Sequence, residues 1–394
     1  MSSTIEEITS VLKAERIGSY SAHIDWILTD SRSLCFPEET LFFALKTKVN
    51  DGHKYIGELY TRGVRNFVVS ELPKDFANFR ETNFLKVPNP LKALQRLAAS
   101  HRDKFQVPVI GVTGSNGKTV VKEWLYHLIS PDKIVTRSPR SYNSQIGVPL
   151  SVWMMNEHTE VGIFEAGISE MGEMEVLQPI VRPTIGILTN IGGAHQENFA
   201  SLQDKCMEKL LLFKDCDVVI YNGDNEFLSS CVAKSLLGAR EIAWSTKDVE
   251  RPLFIENIEK DGKGTTIHYR YLGFFKEYRI PFIDDASIEN SLNCLAAALY
   301  LMVSPEDIAT RMAQLEPVAM RLEVKEGKHG CVLINDSYNS DFASLDIAVD
   351  FMSRRNEDKD RKHTLILSDM LESGQTSKLL YRQVAVRNQE TRSP

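Results

Sequence analysis

No apolar run in this 394-residue chain approaches the roughly 20 residues that a membrane-spanning helix needs. The N-terminus, Met1 to Lys13, holds acidic residues and lacks a long apolar core, so it does not read as a signal peptide. There is no C-x-x-C pair. The six cysteines (Cys35, Cys206, Cys216, Cys231, Cys294 and Cys331) are scattered, which argues against a disulfide or zinc framework and fits reduced, mostly buried thiols. Nor is any domain strongly basic. A net charge of -7 argues against general nucleic-acid binding, but not against a phosphate-bearing ligand held by a local cluster. Internal repeats and low-complexity tracts are missing as well. What remains is 43% hydrophobic and 25% charged, the composition of a soluble, cytoplasmic globular protein, at a length expected for two or three domains.

The densest chemical signal lies at Gly111–Thr119, which reads G-V-T-G-S-N-G-K-T directly after the apolar run Val107–Val112. A strand that breaks into glycines and then into Lys-Thr has the layout of a phosphate cradle. Glycines let backbone N–H groups converge on phosphate oxygens, and the lysine adds a point charge. The threonine hydroxyl suits Mg²⁺, and the helix expected from about Thr119 to Ile129 aims its N-terminal dipole at the anion. The generic loop carries glycine five residues before Gly117; here that position is Val112, so Thr113-Gly114-Ser115-Asn116-Gly117-Lys118-Thr119 is a distinct variant.

Around this loop the chain alternates as βαβ units do. Strands are expected at Val107–Val112, Val161–Glu165, Thr184–Thr189, Asp217–Tyr221 and Glu241–Trp244. Their near-continuous apolar character predicts a parallel sheet buried on both faces. A hairpin is expected at Gly264–Ile280 and a helix at Ile288–Met302. The first region, to about Lys104, has short apolar pieces and ends in a helical pattern over Leu91–His101. The third, from near Pro317, is expected to hold strands at Cys331–Asn335 and Thr364–Ser368, with helices at Phe342–Met352 and near Lys378–Val386. Two βα units are few for a doubly wound domain, so a truncated chain is expected.

Ligands of doubly wound sheets collect beyond the carboxyl ends of the strands. Glu165 stands at such an end, where a carboxylate can hold Mg²⁺ close to the loop. His195 follows the next strand in a glycine-rich turn, a place for metal or substrate contact. Asp336 and Tyr338 stand at the end of the Cys331–Asn335 strand. Thr29-Asp30-Ser31-Arg32-Ser33 reads equally as a capped turn or as hydroxyls and an arginine fork for a phosphate group. Lys205 and Lys209 lie one turn apart on a helix and read, by themselves, as surface charges.

Taken together these motifs resemble the Mur ligases, ATP-dependent amide-forming enzymes of peptidoglycan assembly. The resemblance covers essentially the whole chain. It rests on the loop Thr113–Thr119, the turn Thr29-Asp30-Ser31-Arg32, and Tyr142-Asn143-Ser144-Gln145-Ile146-Gly147-Val148-Pro149. Gly193-Ala194-His195 with Glu197 and Phe199, and Asp336-Ser337-Tyr338-Asn339, complete it. It implies an α/β fold of three domains. These are a small N-terminal UDP-substrate domain (1–105), a central ATP-binding P-loop domain (106–316), and a Rossmann-like, incomplete C-terminal ligase domain (317–394). The implied substrates are ATP, a UDP-linked muramoyl tripeptide and D-Ala-D-Ala, joined through an acyl phosphate in the cytoplasm.

The resemblance also implies residue roles. Thr113, Gly114, Ser115, Asn116, Gly117, Lys118 and Thr119 would hold the phosphates, and Asn293 the adenine. Arg321 and Asp336 would reach the nucleotide from the third domain. Thr119, Glu165 and His195 would hold Mg²⁺, and Lys209 would become a carbamate, leaving Lys205 on the surface. Lys118, Glu165, His195 and Lys209 are thus the implied catalytic set. Ser31, Arg32, Asn143, Tyr338 and Asn339 would contact the UDP-peptide. A monomer is expected, with no nucleic-acid or membrane partner. Some relatives resemble the front half of a fusion with alanine racemase, for whose barrel this chain has no room. The alternatives are a Mur-type ligase with another amino-acid acceptor and a truncated chain that binds nucleotide without turnover.

Overall fold

The computed structural model describes residues 2–47, 50–192, 196–235, 237–328, 331–338, 342–354, 364–370 and 377–390. In the first region, four short strands, Trp26–Leu28, Thr40–Phe43, Asn66–Val69 and Asn83–Lys86, lie parallel side by side. Glu15–Ile17 adds an antiparallel fifth at the Asn83–Lys86 edge. The helix Pro90–Arg102 follows. Asn89 caps it by accepting the Lys92 N–H, and Pro90 occupies the first turn, where its missing N–H costs nothing. One side of this helix packs Leu94 and Leu97 against Ile5, Ile8 and Leu12 of the first region. Its Ala98 belongs instead to the core of the second.

That helix is therefore shared between two cores, and polar contacts strengthen the joint. Buried Arg102 donates to three carbonyl oxygens, of Val181 (2.9 Å), Phe105 (2.7 Å) and Arg182 (3.0 Å). The Trp153 indole crosses the same boundary to the Asp25 carbonyl at 2.9 Å.

The second region is built on a nine-stranded sheet. Val109–Thr113 runs between Val161–Glu165 and Ile185–Leu188, with Val135–Arg137 at one edge. Val218–Asn222, Arg240–Ser245 and Leu253–Lys260 extend it in parallel on the other side. Thr265–Tyr271 and Phe274–Ile280 close it as an antiparallel hairpin. Separate cores fill the two faces. One joins Val121, Trp124 and Leu125 to Leu292 and Leu295 of the helix Asp285–Tyr300; the other joins Val148 and Val152 to Met174 and Leu177. Burial on both faces is the physical reason these strands are almost wholly apolar.

Within the third region, Glu323–Glu326 pairs antiparallel with Val332–Asn335. The helices Phe342–Arg354 and Ser377–Glu390 meet through Leu345, Val349, Leu380 and Val384, with Met370 beside them. The strand expected at Thr364–Ser368 is not formed. Those residues pair with no strand among the described residues, and Ile366 is 90% exposed. At the junction, the Trp124 indole on the helix Lys118–Ile129 donates to the Glu316 carbonyl at 3.1 Å. No helix of the described residues is long and apolar enough to cross a membrane.

Candidate active site

Strand register sets the site. Glu165 pairs with Val112 and Leu188 with Thr113, so the three central strands end level where the loop Thr113–Thr119 begins. The loop turns through Gly114 at φ +145° and Gly117 at φ +83°, angles that residues with a side chain rarely adopt. Space forbids substitution too: a Cβ on Gly114 would lie 1.9 Å from Thr189 Oγ1, and one on Gly117 would lie 2.4 Å from Asn290 Oδ1. The loop is braced from the neighbouring strand end. Ser115 donates its N–H to the Asn190 carbonyl (2.8 Å), and Asn116 donates its own to Asn190 Oδ1 (2.9 Å). The helix Lys118–Ile129 begins at Gly117 with no side-chain cap, which leaves its first N–H groups to an anion.

Beneath the loop lies a buried polar cluster. Glu165 has no exposure. Its carboxylate accepts from Thr119 Oγ1 at 3.1 Å, from Lys122 Nζ at 3.3 Å and from Asn143 Nδ2 at 3.4 Å. Lys122, equally buried, also donates to the carbonyls of Ser138 (2.8 Å) and Arg140. Opposite charges and several hydrogen bonds are what make a buried ion pair tolerable. Thr119 and Glu165 together offer hard oxygen ligands at the phosphate end of the cradle, a donor set that fits Mg²⁺.

Three lysines approach from above. Lys118 Nζ donates to the Gly114 (2.8 Å) and Ser115 (2.9 Å) carbonyls. Lys209 Nζ donates to the Gly114 carbonyl at 3.2 Å, and Lys205 Nζ to the Gly192 carbonyl at 2.6 Å. Burial holds the Lys209 amine well below the usual lysine range, and repulsion from Lys118 and Lys205 adds to the effect. Lys205 is only 1% exposed, which corrects its reading as a surface charge. Each buried ammonium keeps a carbonyl acceptor, Gly114 for Lys209 and Gly192 for Lys205.

All this opens into a cleft of about 420 Å³. Leu91 of the first region, Ser115, Lys118, Asn143, Lys205 and Lys209 of the second, and Arg321 and Tyr338 of the third line it. The Arg321 guanidinium sits over the Tyr338 ring, 4.1 Å from its centre. Asp336 accepts the Leu322 N–H at 3.2 Å. Ser344 approaches Asn116 of the loop at 3.5 Å, a second contact from the third region.

Other expected site residues lie elsewhere. The Thr29–Ser33 segment forms a capped turn, with Asp30 accepting the Arg32 N–H (3.0 Å) and engaging its guanidinium at 2.6 Å; Ser31 is buried. Asn293 is fully buried, and its Oδ1 accepts the Trp244 indole N–H at 2.9 Å. His195 and Asn339 fall outside the described residues. Sequence reading missed Lys122, four residues beyond Lys118, and Asn290, whose amide lies against Gly117. It also missed Glu289, where burial raises the carboxyl pKa while Asn222 donates to it at 3.0 Å.

The model of the Mur ligase middle domain matches residues 112–298. The UDP-N-acetylmuramoyl-tripeptide–D-alanyl-D-alanine ligase of Bacillus subtilis (strain 168) is 30% identical over 370 residues, covering 91% of this chain and 76% of that protein. The enzyme of the same name from Escherichia coli (strain K12) is 26% identical over 388 residues, 98% of this chain and 83% of its own. In three dimensions, a crystal structure of MurF from Acinetobacter baumannii is similar over 99% of this chain and 83% of that one, with a TM-score of 0.84 at 22% identity. The MurF ligase of Thermotoga maritima in complex with ADP gives 0.75 at 21% identity, over 92% and 81% of the two chains.

Proposed function

The chain belongs to the Mur ligase family, and from that membership we propose that its cleft joins D-Ala-D-Ala to UDP-N-acetylmuramoyl-tripeptide with ATP as co-substrate. It is an ATP-dependent amide ligase, and the reaction belongs to cytoplasmic peptidoglycan precursor synthesis. The terminal carboxylate of the tripeptide attacks the γ-phosphorus of ATP, and ADP leaves. The amine of D-Ala-D-Ala then attacks the acyl phosphate, an amide bond forms, and phosphate departs with a proton lost from the nitrogen. The observation that carries this reading is the convergence of Lys118 and Lys209 with Arg321 and Tyr338 on one cleft, above the buried Thr119–Glu165 pair.

Most of the barrier to such a transfer is charge on the moving phosphoryl group, which positioned cations offset in a site shielded from water. Lys118 steadies the β- and γ-phosphates together with the loop N–H groups of 113–119. Thr119 and Glu165 would hold Mg²⁺, with His195 completing the set, and an ion there would supply charge neutralisation at the phosphates. Lys209, whose burial favours the neutral amine, can add to CO₂ and release a proton, giving a carbamate. Arg321 and Asp336 act on the nucleotide from the third region, and Asn293 on the adenine. Ser31 and Arg32 receive the UDP group, while Asn143, Tyr338 and Asn339 receive the peptide. On this division, 1–105 hold the UDP end, 106–316 the ATP, and 317–394 form the ligase domain that closes on the nucleotide.

The test is phosphate release from ATP and Mg²⁺ with UDP-N-acetylmuramoyl-tripeptide, with and without D-Ala-D-Ala. Release that requires both establishes the reaction and its acceptor. Bound ATP with no release would overturn the reading in favour of a nucleotide-binding chain without turnover.

A further inference from the structure

Lys122 takes no part in the proposed reaction, yet it is built into the floor of the site. It stands on the helix Lys118–Ile129, one turn after Lys118, and is wholly buried. Its ammonium donates to Glu165 Oε1 (3.3 Å), to the Ser138 carbonyl (2.8 Å) and to the Arg140 carbonyl, and it lies 3.0 Å from Glu123 Oε1. A buried ion pair is often no more stabilising than an apolar pair of the same volume. What this one does fix is the relative position of the groups it joins.

Those groups are the end of the strand Val161–Glu165 and the turn 138–143. In the turn, the Pro139 carbonyl accepts the Tyr142 N–H at 3.2 Å, and Arg140 holds φ +48°, a left-handed angle that is costly for a residue with a side chain. Lys122 grips the carbonyls on either side of Pro139, including that of Arg140 itself. Ser138 ties the turn to the strand, its Oγ accepting the Glu165 N–H at 3.3 Å. Further along, Ser141 Oγ lies 2.9 Å from Thr119 Oγ1, and Asn143 Nδ2 donates to Glu165 at 3.4 Å. Asn143 lines the cleft, and its carbonyl accepts the Gly167 N–H at 2.8 Å. One ammonium therefore touches both the carboxylate proposed for Mg²⁺ and the turn that carries Asn143.

We propose that Lys122 is a positioning residue that holds the turn 138–143 in the shape presenting Asn143 to the peptide of the UDP-linked substrate. This rests on the ligase reading above. Lys122 meets no substrate atom; its effect reaches the peptide through Asn143. The phosphate loop is braced separately, from Asn190, so the two sites respond differently to loss of the lysine. Small displacements of a substrate-positioning group are costly where two reactants must be brought to bonding distance.

The experiment compares wild type, Lys122→Met, Glu165→Gln and the double variant Lys122→Met/Glu165→Gln in the full chain, in EDTA so that no metal contributes. The double variant removes both buried charges together, which keeps the test open should Lys122→Met alone fail to fold. The probes are ADP, UDP-N-acetylmuramic acid and UDP-N-acetylmuramoyl-tripeptide. Lys122→Met against wild type, and the double variant against Glu165→Gln, are each expected to bind the tripeptide compound about tenfold more weakly, with ADP and the peptide-free compound within about twofold. Tripeptide binding unchanged in either comparison would overturn the proposal. So would an equal loss for all three probes, which marks a general structural role. Wild type that binds ADP but neither UDP compound would overturn the ligase reading, and this proposal with it.

Discussion

Thr119 and Glu165, 46 positions apart, share a hydrogen bond of 3.1 Å beneath the phosphate loop, both buried. The pair exists because parallel pairing sets Glu165 level with Val112, on the strand beside the one that leads into the helix whose first turn carries Thr119. Replacing Glu165 with Gln keeps the shape and removes the charge. The expected outcome is a fall in kcat of about a hundredfold or more, with a higher Mg²⁺ concentration for half-maximal phosphate release. An unchanged Mg²⁺ profile would refute the metal role.

Lys209 ties stability to pH. Its folded pKa lies well below the ordinary value of about 10.4, so between the two the unfolded chain binds a proton that the folded chain does not. Stability contributed by this group therefore rises with pH across that window and is lost as pH falls. A Lys209→Met variant lacks that slope. In urea unfolding between about pH 7 and about pH 9, wild type is expected to gain on the variant as pH rises. Parallel curves would contradict the buried-amine assignment.

Arg102 offers a test of the joint between the first and second regions. Arg102→Met leaves the carbonyls of Val181, Phe105 and Arg182 without their donor. A loss of roughly 3 kcal/mol in unfolding free energy is expected, with ADP affinity unchanged. A loss below about 0.5 kcal/mol would mean that the carbonyls find other partners.

Asp336 holds the Leu322 N–H beside Arg321, so its removal acts on the third-region wall of the cleft. Asp336→Ala is expected to reduce turnover at least tenfold, with little effect on melting temperature. Intact turnover would remove Asp336 from the nucleotide set.

Much of the site was legible in sequence because it is local. The loop Thr113–Thr119 carries its own glycines, and Glu165 closes an uninterrupted apolar run. Other features depend on packing that no local pattern announces. Lys205 reads as a surface charge, and Lys122 draws no notice, until the Gly192 turn and the Ser138–Arg140 segment are placed around them. The helix Glu173–Val181 escaped notice because Pro179 interrupts its pattern. The strand Leu253–Lys260 is polar over Glu256, Asn257 and Glu259, since only part of it is covered. At Thr364–Ser368 a strand is expected over the apolar run Leu365–Leu367, but a strand needs a neighbour to satisfy its backbone, and the described residues supply none.

The Trp124 indole bridges the nucleotide-loop helix and the Glu316 carbonyl, and it stacks on Phe282 with ring centres 5.0 Å apart. Trp124 is thereby placed as an optical gauge of that junction. A fluorophore sits on the element that receives the phosphates, and its one polar handle is held by the linker to the last region. With the other tryptophans, Trp26, Trp153 and Trp244, replaced, a pull of the third region on that linker is expected to show as a shift in the colour of the Trp124 emission.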